Sequence, residues 1–145
     1  MASLQDLEDL VRTLRGPDGC PWDRAQKIPD MKQYLLEECY EVLDAIDRSM
    51  PAKLQEELGD LLFQIVFIVQ MAEEKGEFGM QDVLRTVHGK MVRRHPHVFG
   101  SASAEDPEAV RKNWWKIKLA EGSTPRSHLE WVPRHLPALQ RAYRL

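Results

Sequence analysis

Cysteine is scarce in this chain. Only Cys20 and Cys39 occur in 145 residues, too few for a disulfide framework and without metal-ligand spacing, so both read as free thiols of a protein in a reducing cytoplasm. Long apolar runs are missing as well. The strongest, residues 61–72, is interrupted by Gln64 and Gln70 and falls well short of the roughly 20 residues that cross a bilayer. The first residues, MASLQDLEDLVRTL, are acidic and amphipathic and have neither the basic start nor the apolar stretch of a secretory leader. Nor does one sign of charge dominate: 20 Lys and Arg against 23 Asp and Glu leave a net charge of −3, which removes the usual signature of a protein that binds nucleic-acid polymers. No segment alternates apolar and polar residues long enough to predict a strand, and no internal repeat is visible.

What is present is helical periodicity with clear punctuation. Leu4, Leu7, Leu10, Val11 and Leu14 follow Ser3 at helical spacing and stop at Gly16-Pro17. The stretch GPDGCPWDRAQKIPD, with three prolines and two glycines, predicts a loop that carries Trp22. Asp30 is placed to cap a helix running to about Arg48, and Pro51 to open another that runs to about Lys75 and stops at Gly76. These two are expected to pair antiparallel. A fourth helix is expected from the Gly79–Asp82 region to about Arg94, then a loop from His95 to Ser103, and a fifth helix from Asp106-Pro107 to Gly122. The expectation is an all-α bundle of four to five helices in residues 1–122, followed by a proline-rich, linker-like tail in 123–145. A helical chain of this length often completes its core by oligomerising.

The carboxylates stand where carboxylates are unusual. On a helical wheel Glu38 lands inside the apolar arc of Met31, Tyr34, Leu35, Val42, Ala45 and Ile46, with Glu41 at its edge, while Glu37 falls off the apolar face. The next helix is apolar on nearly every side from Leu61 to Ala72, which predicts a central buried rod. It nonetheless carries a polar stripe of Lys53, Glu57, Asp60 and Gln64. In an antiparallel pair Glu38, Glu41, Glu57 and Asp60 can converge, and four clustered carboxylates select a hard divalent cation, Mg²⁺ or Mn²⁺. A di-iron carboxylate bundle would need histidines near these positions, and all five histidines come at residue 88 or later.

Charge is also segregated. Residues 37–60 hold eight acids and two bases, whereas 85–118 hold eight bases and three acids. An acidic cation site and a basic strip in one chain suit a polyphosphate substrate, with cations bridging phosphate oxygens and Lys and Arg neutralising the rest. Lys90 and Arg94 share one helix face, Trp114 and Lys118 another, and a Trp among bases suits stacking on a nucleoside.

The segments LLEECYEVLDAI and EELGDLLFQIVF resemble the Glu-Glu-x-x-Glu and Glu-x-x-Asp signature of the MazG nucleoside triphosphate pyrophosphohydrolases. GPDGCPWDR, RRHPHVFG and NWWKIK extend the resemblance over roughly residues 4–122. It implies an all-α pyrophosphatase domain, usually dimeric or higher, that converts a nucleoside triphosphate to monophosphate and pyrophosphate with Mg²⁺. The family's metal ligands fall on Glu38, Glu41, Glu57 and Asp60, with Glu37 in a secondary role. Substrate contacts fall on Lys53, Lys90, Arg94, Trp114 and Lys118, with Arg93 and Trp22 as further candidates. Where the family commonly has a Thr-His pair and a Ser after this loop, the chain has Lys27, Ile28 and Pro29. The last segment, VPRHLPALQRAYRL, is similar to the linker between the two domains of tandem members. Enzymes specific for dUTP, dCTP or phosphoribosyl-ATP belong to the same superfamily, and a helical dimerisation module without catalysis is the reading from another class.

Overall fold

The computed structural model describes residues 1–122, with 136–138 and 142, so the tail expected in 123–145 lies almost wholly outside the described residues. Seven helices and no strand occur among them: α1 (Leu4–Arg15), α2 (Pro21–Ala25), α3 (Met31–Asp47), α4 (Pro51–Glu74), α5 (Met80–Arg94), α6 (Pro96–Phe99) and α7 (Pro107–Ala120). Five are the helices the periodicity predicts. The two short ones were expected as loop. Pro21 and Pro96 each supply a preset φ at the first helical position, where a missing N–H costs nothing, and one turn forms in both places.

The ends follow local chemistry. Ser3 closes a capping box with Asp6, and Asp106 accepts from the Ala109 amide at 2.7 Å. Asp30 does not cap α3 with its side chain, because its carboxylate accepts from the Lys27 amide at 2.9 Å instead and tightens the turn before the helix. Gly76, at φ +70°, provides the left-handed residue that ends α4.

The chain divides into two compact units, Met1–Thr86 and Val87–Leu145. In the first, α3 and α4 form a hairpin closed by three residues, of which Ser49 takes a left-handed φ of 53°. α1 packs on α4, and α2 packs on α1. Val11, Met31, Val66, Phe67, Val69, Met71 and Met80 make the buried core.

α4 is not the fully enclosed rod its composition suggests. Its C-terminal half is covered, but Leu58, Leu62 and Ile65 are 40–49% exposed, because α1 and α3 cover only part of its circumference. On α3, Leu36, Tyr40 and Leu43 are 46–49% exposed on the side away from Met31 and Ala45, and Ile46 and Met50, the latter just before α4, are 51% and 47% exposed. The hairpin therefore carries a broad apolar surface that nothing in its own unit covers.

Arg15 fastens the far end of α4. Its guanidinium donates to Glu74 at 2.7 and 2.8 Å and to the Asp23 carbonyl at 2.6 Å, and it lies 5.3 Å from the centre of the Phe67 ring. The Arg15 hydrogen bonds hold the Glu74 carboxyl below the usual glutamate range. A carboxylate with a lowered pKa stabilises the fold above the usual range, and that contribution disappears as pH falls through the lowered value. We expect Glu74→Gln to cost about 0.5–1 kcal/mol at neutral pH, since the pair is partly solvent-screened, and to flatten part of the acid-side fall in a plot of melting temperature against pH.

Candidate active site

α3 and α4 run antiparallel past one another, so that Glu38 lies opposite Gln64 and Glu41 opposite Glu57. Gln64 Nε2 donates to Glu38 Oε1 at 3.4 Å. One carboxylate oxygen from each of Glu38, Glu41 and Glu57 lies within 4.8 Å of the others. Their burial is graded: Glu57 is 1% exposed, Glu38 half-buried and Glu41 exposed.

Glu57 is the unusual group. Its Oε1 meets the Lys53 ammonium at 2.5 Å as an ion pair, without the alignment of a hydrogen bond, and its Oε2 has no hydrogen-bond partner. Burying a carboxylate with an unsatisfied oxygen costs several kcal/mol unless something compensates it. The surroundings respond accordingly. The Glu41 carboxyl is pushed above its usual range, first by the Glu57 carboxylate beside it, then by desolvation and by the Glu38 charge. Lys53 is held more firmly protonated by its contacts with Glu57 and Glu56.

The donor set is all oxygen, acidic, and includes one buried oxygen in need of a partner, which fits a hard divalent cation such as Mg²⁺ or Mn²⁺ and not a thiophilic metal. Tyr40, Glu41, Asp44, Lys53 and Glu57 line an open cleft of about 640 Å³, its mouth included. A second, smaller hollow in the same unit is lined by Trp22, Met31, Tyr34, Phe63, Gln64 and Phe67, among others. Trp22 meets Tyr34 edge-on, with ring centres 5.8 Å apart. Gln64 lines this hollow and also hydrogen-bonds Glu38.

Not every residue expected at the site is brought to it. Asp60 stands exposed and lies outside the trio. The expected convergence of four interior carboxylates therefore reduces to three, of which only Glu57 is interior. Glu37 is exposed and accepts from Gln33 Nε2 at 3.0 Å, away from the cleft lining. Asp44, which the sequence places on the polar side of α3, lines the cleft and pairs with Arg48 at 2.9 Å. Its signal was its place three residues after Glu41.

Lys90, Arg93, Arg94, Trp114 and Lys118 belong to the second unit. There Arg94 is 8% exposed, donates to Glu121 Oε2 at 2.7 and 3.0 Å, and lies 4.9 Å from the centre of the Trp114 ring. Arg93 reaches the other oxygen of Glu121 at 3.2 Å. Lys118 lies over both Trp114, at 5.3 Å, and Trp115, at 4.7 Å. Lys90 is half-buried. Glu121, which holds the arginine pair, was not singled out by the sequence.

A helical hairpin whose facing acids surround one buried carboxylate defines an all-α protein with a cluster of three carboxylates. The chain belongs to the MazG family: residues 26–99 match the MazG nucleotide pyrophosphohydrolase domain. It is 45% identical over its whole length to the nucleoside triphosphate pyrophosphohydrolase of Escherichia coli, covering 56% of that protein. It is 47% identical to the uncharacterized protein YabN of Bacillus subtilis over 96% of its own length and 29% of that protein's. A crystal structure of a MazG-related protein from Thermotoga maritima superimposes with a TM-score of 0.67 at 26% identity, over 80% of this chain and 99% of that one. The chain thus spans 56% of the length of the Escherichia coli protein and 29% of that of YabN.

Proposed function

We propose that residues 1–122 form a domain that hydrolyses nucleoside triphosphates to the monophosphate and pyrophosphate, with Mg²⁺ or Mn²⁺ held by Glu38, Glu41 and Glu57 and by Asp60 as the fourth ligand the family signature implies. The observation that carries this reading is the buried Glu57 with an unpartnered Oε2 beside two further carboxylates. A hard divalent cation bound there supplies charge neutralisation for the triphosphate and acidifies water for attack on phosphorus. Glu57, fixed by burial, sets the geometry of the cluster. Glu41, by its place on the cleft wall, is the ligand carboxylate suited to take up the proton of the attacking water. Lys53 contributes charge to the phosphates, and the resemblance to the family implies phosphate contacts at Lys90, Arg93, Arg94 and Lys118. The same resemblance implies a base contact at Trp114, with Trp22 as a further candidate. No step is assigned to Glu37.

The substrate range we favour is broad removal of canonical or aberrant nucleotides, in the cytoplasm. Narrow action on dUTP, dCTP or phosphoribosyl-ATP is the second reading. A pyrophosphate-release assay across the common NTPs and dNTPs with Mg²⁺ or Mn²⁺ separates them. Turnover of several nucleotides is expected, and turnover of none, with no effect of Mg²⁺ on melting temperature, would leave the helical interaction module as the surviving reading.

The half-exposed apolar surface of α3 and α4 supports a homodimer through this hairpin, with a second copy covering what its own unit leaves open. No helix among the described residues is long and apolar enough to cross a membrane, so a bilayer-spanning role for this surface has no support there.

A further inference from the structure

Lys53 and the cation need the same carboxylate. Lys53 lies one turn before Glu57 on α4, with its ammonium 2.5 Å from Glu57 Oε1 and 3.3 Å from Glu56 Oε1. The two partners differ in freedom. Glu57 is 1% exposed and cannot leave its place, whereas the Lys53 side chain is 45% exposed, has a four-carbon stem, and lines the mouth of the same cleft. Glu56 is solvent-exposed and offers a second resting place for the ammonium on the way out. A divalent cation on the Glu38, Glu41 and Glu57 oxygens would bring two positive charges close to that of Lys53, and the mobile one gives way.

We propose that a divalent cation displaces the Lys53 ammonium from Glu57 and turns it into the cleft, so that Lys53 becomes a phosphate contact only once the metal is in place. The proposal rests on the metal-centre reading above and adds an order of binding to it, cation before triphosphate. It also explains how one residue can be both the counter-ion of the buried carboxylate and a ligand for substrate: the two roles belong to different states. Proton transfer is not involved, since the ammonium stays charged in both.

The test begins with Mn²⁺ titrations of the substrate-free full chain by calorimetry. Lys53→Met removes the competing charge and is expected to bind Mn²⁺ at least about fivefold more tightly than the parent, while Lys53→Arg, which keeps the charge, stays within about twofold. Inorganic triphosphate, titrated at saturating Mn²⁺, is expected to bind more weakly to Lys53→Met. Unchanged or weaker Mn²⁺ binding in Lys53→Met would overturn the exchange. Should that variant not fold, side-chain NMR of the lysine ammonium groups in the parent gives the answer: Mg²⁺ should move the Lys53 signal toward that of a solvent-exposed lysine, and an unmoved signal counts against the proposal. If the parent itself binds no Mn²⁺, the metal centre fails and this inference with it. If the parent binds Mn²⁺ and hydrolyses nucleotide but Lys53→Met binds Mn²⁺ no more tightly, only the exchange fails.

Discussion

Glu57→Gln is expected to reduce nucleoside triphosphate hydrolysis by at least about 10³-fold while leaving the metal-free protein as stable as its parent, or a few degrees more so. The two effects have opposite signs because the residue sits between two demands. For function, an anionic oxygen that water cannot reach is a strong ligand for a hard cation. For stability, the same oxygen is a buried charge with no hydrogen bond, relieved by one lysine that is itself half in water. The amide keeps the shape, removes the charge, and leaves Lys53 free to stay with Glu56 or turn to solvent. Mn²⁺ at about 100 times its Kd should stabilise the parent by roughly 2.7 kcal/mol and leave the variant unmoved. Thermal melts with and without Mn²⁺, beside a pyrophosphate-release assay, check all three outcomes. Turnover within tenfold of the parent would place the reacting centre elsewhere.

Introducing charge into the uncovered side of the hairpin should halve the mass of the particle in solution. Leu43 and Leu62 are each a little under half exposed, on α3 and α4 respectively. In an isolated chain a glutamate at either place keeps its carboxylate in water and costs little. In a dimer built on this face the same carboxylate is stripped of water without a partner, which costs several kcal/mol per site and is met twice by symmetry. Light scattering of Leu43→Glu/Leu62→Glu is therefore expected to report a folded monomer, with helical circular dichroism retained, where the parent reports a dimer. A monomeric parent would remove the proposed interface.

The helices themselves were legible in the sequence. Ser3, Pro51, Gly76 and Asp106 each set an end by chemistry that needs no distant partner, and the five longer helices fall where periodicity puts them. Prolines misled at two places: Pro21 and Pro96 were expected to keep their segments irregular, and each starts a turn of helix instead. The apolar residues of α4 suggested enclosure on all sides, but composition does not reveal whether the covering surface belongs to the same chain. The stripe of Leu36, Tyr40, Leu43 and Met50 passed unnoticed for a related reason, since an apolar residue near a polar arc looks like part of a core until the core is seen to lie on the other side.

At the site, the sequence determined the type of chemistry: carboxylates three residues apart on two helices expected to lie antiparallel, and a basic strip further along the chain. The structure decided the ranking among them. Glu57 is the buried member, Glu38 and Glu41 stand beside it, Lys53 is bound to it, and Asp60 and Glu37 stand apart from it. The reason is geometric. Sequence fixes the angle of a side chain around its own helix, because 3.6 residues make a turn. How deeply that side chain is buried, and which groups it faces, depends on what packs opposite, and that is a property of the tertiary fold alone.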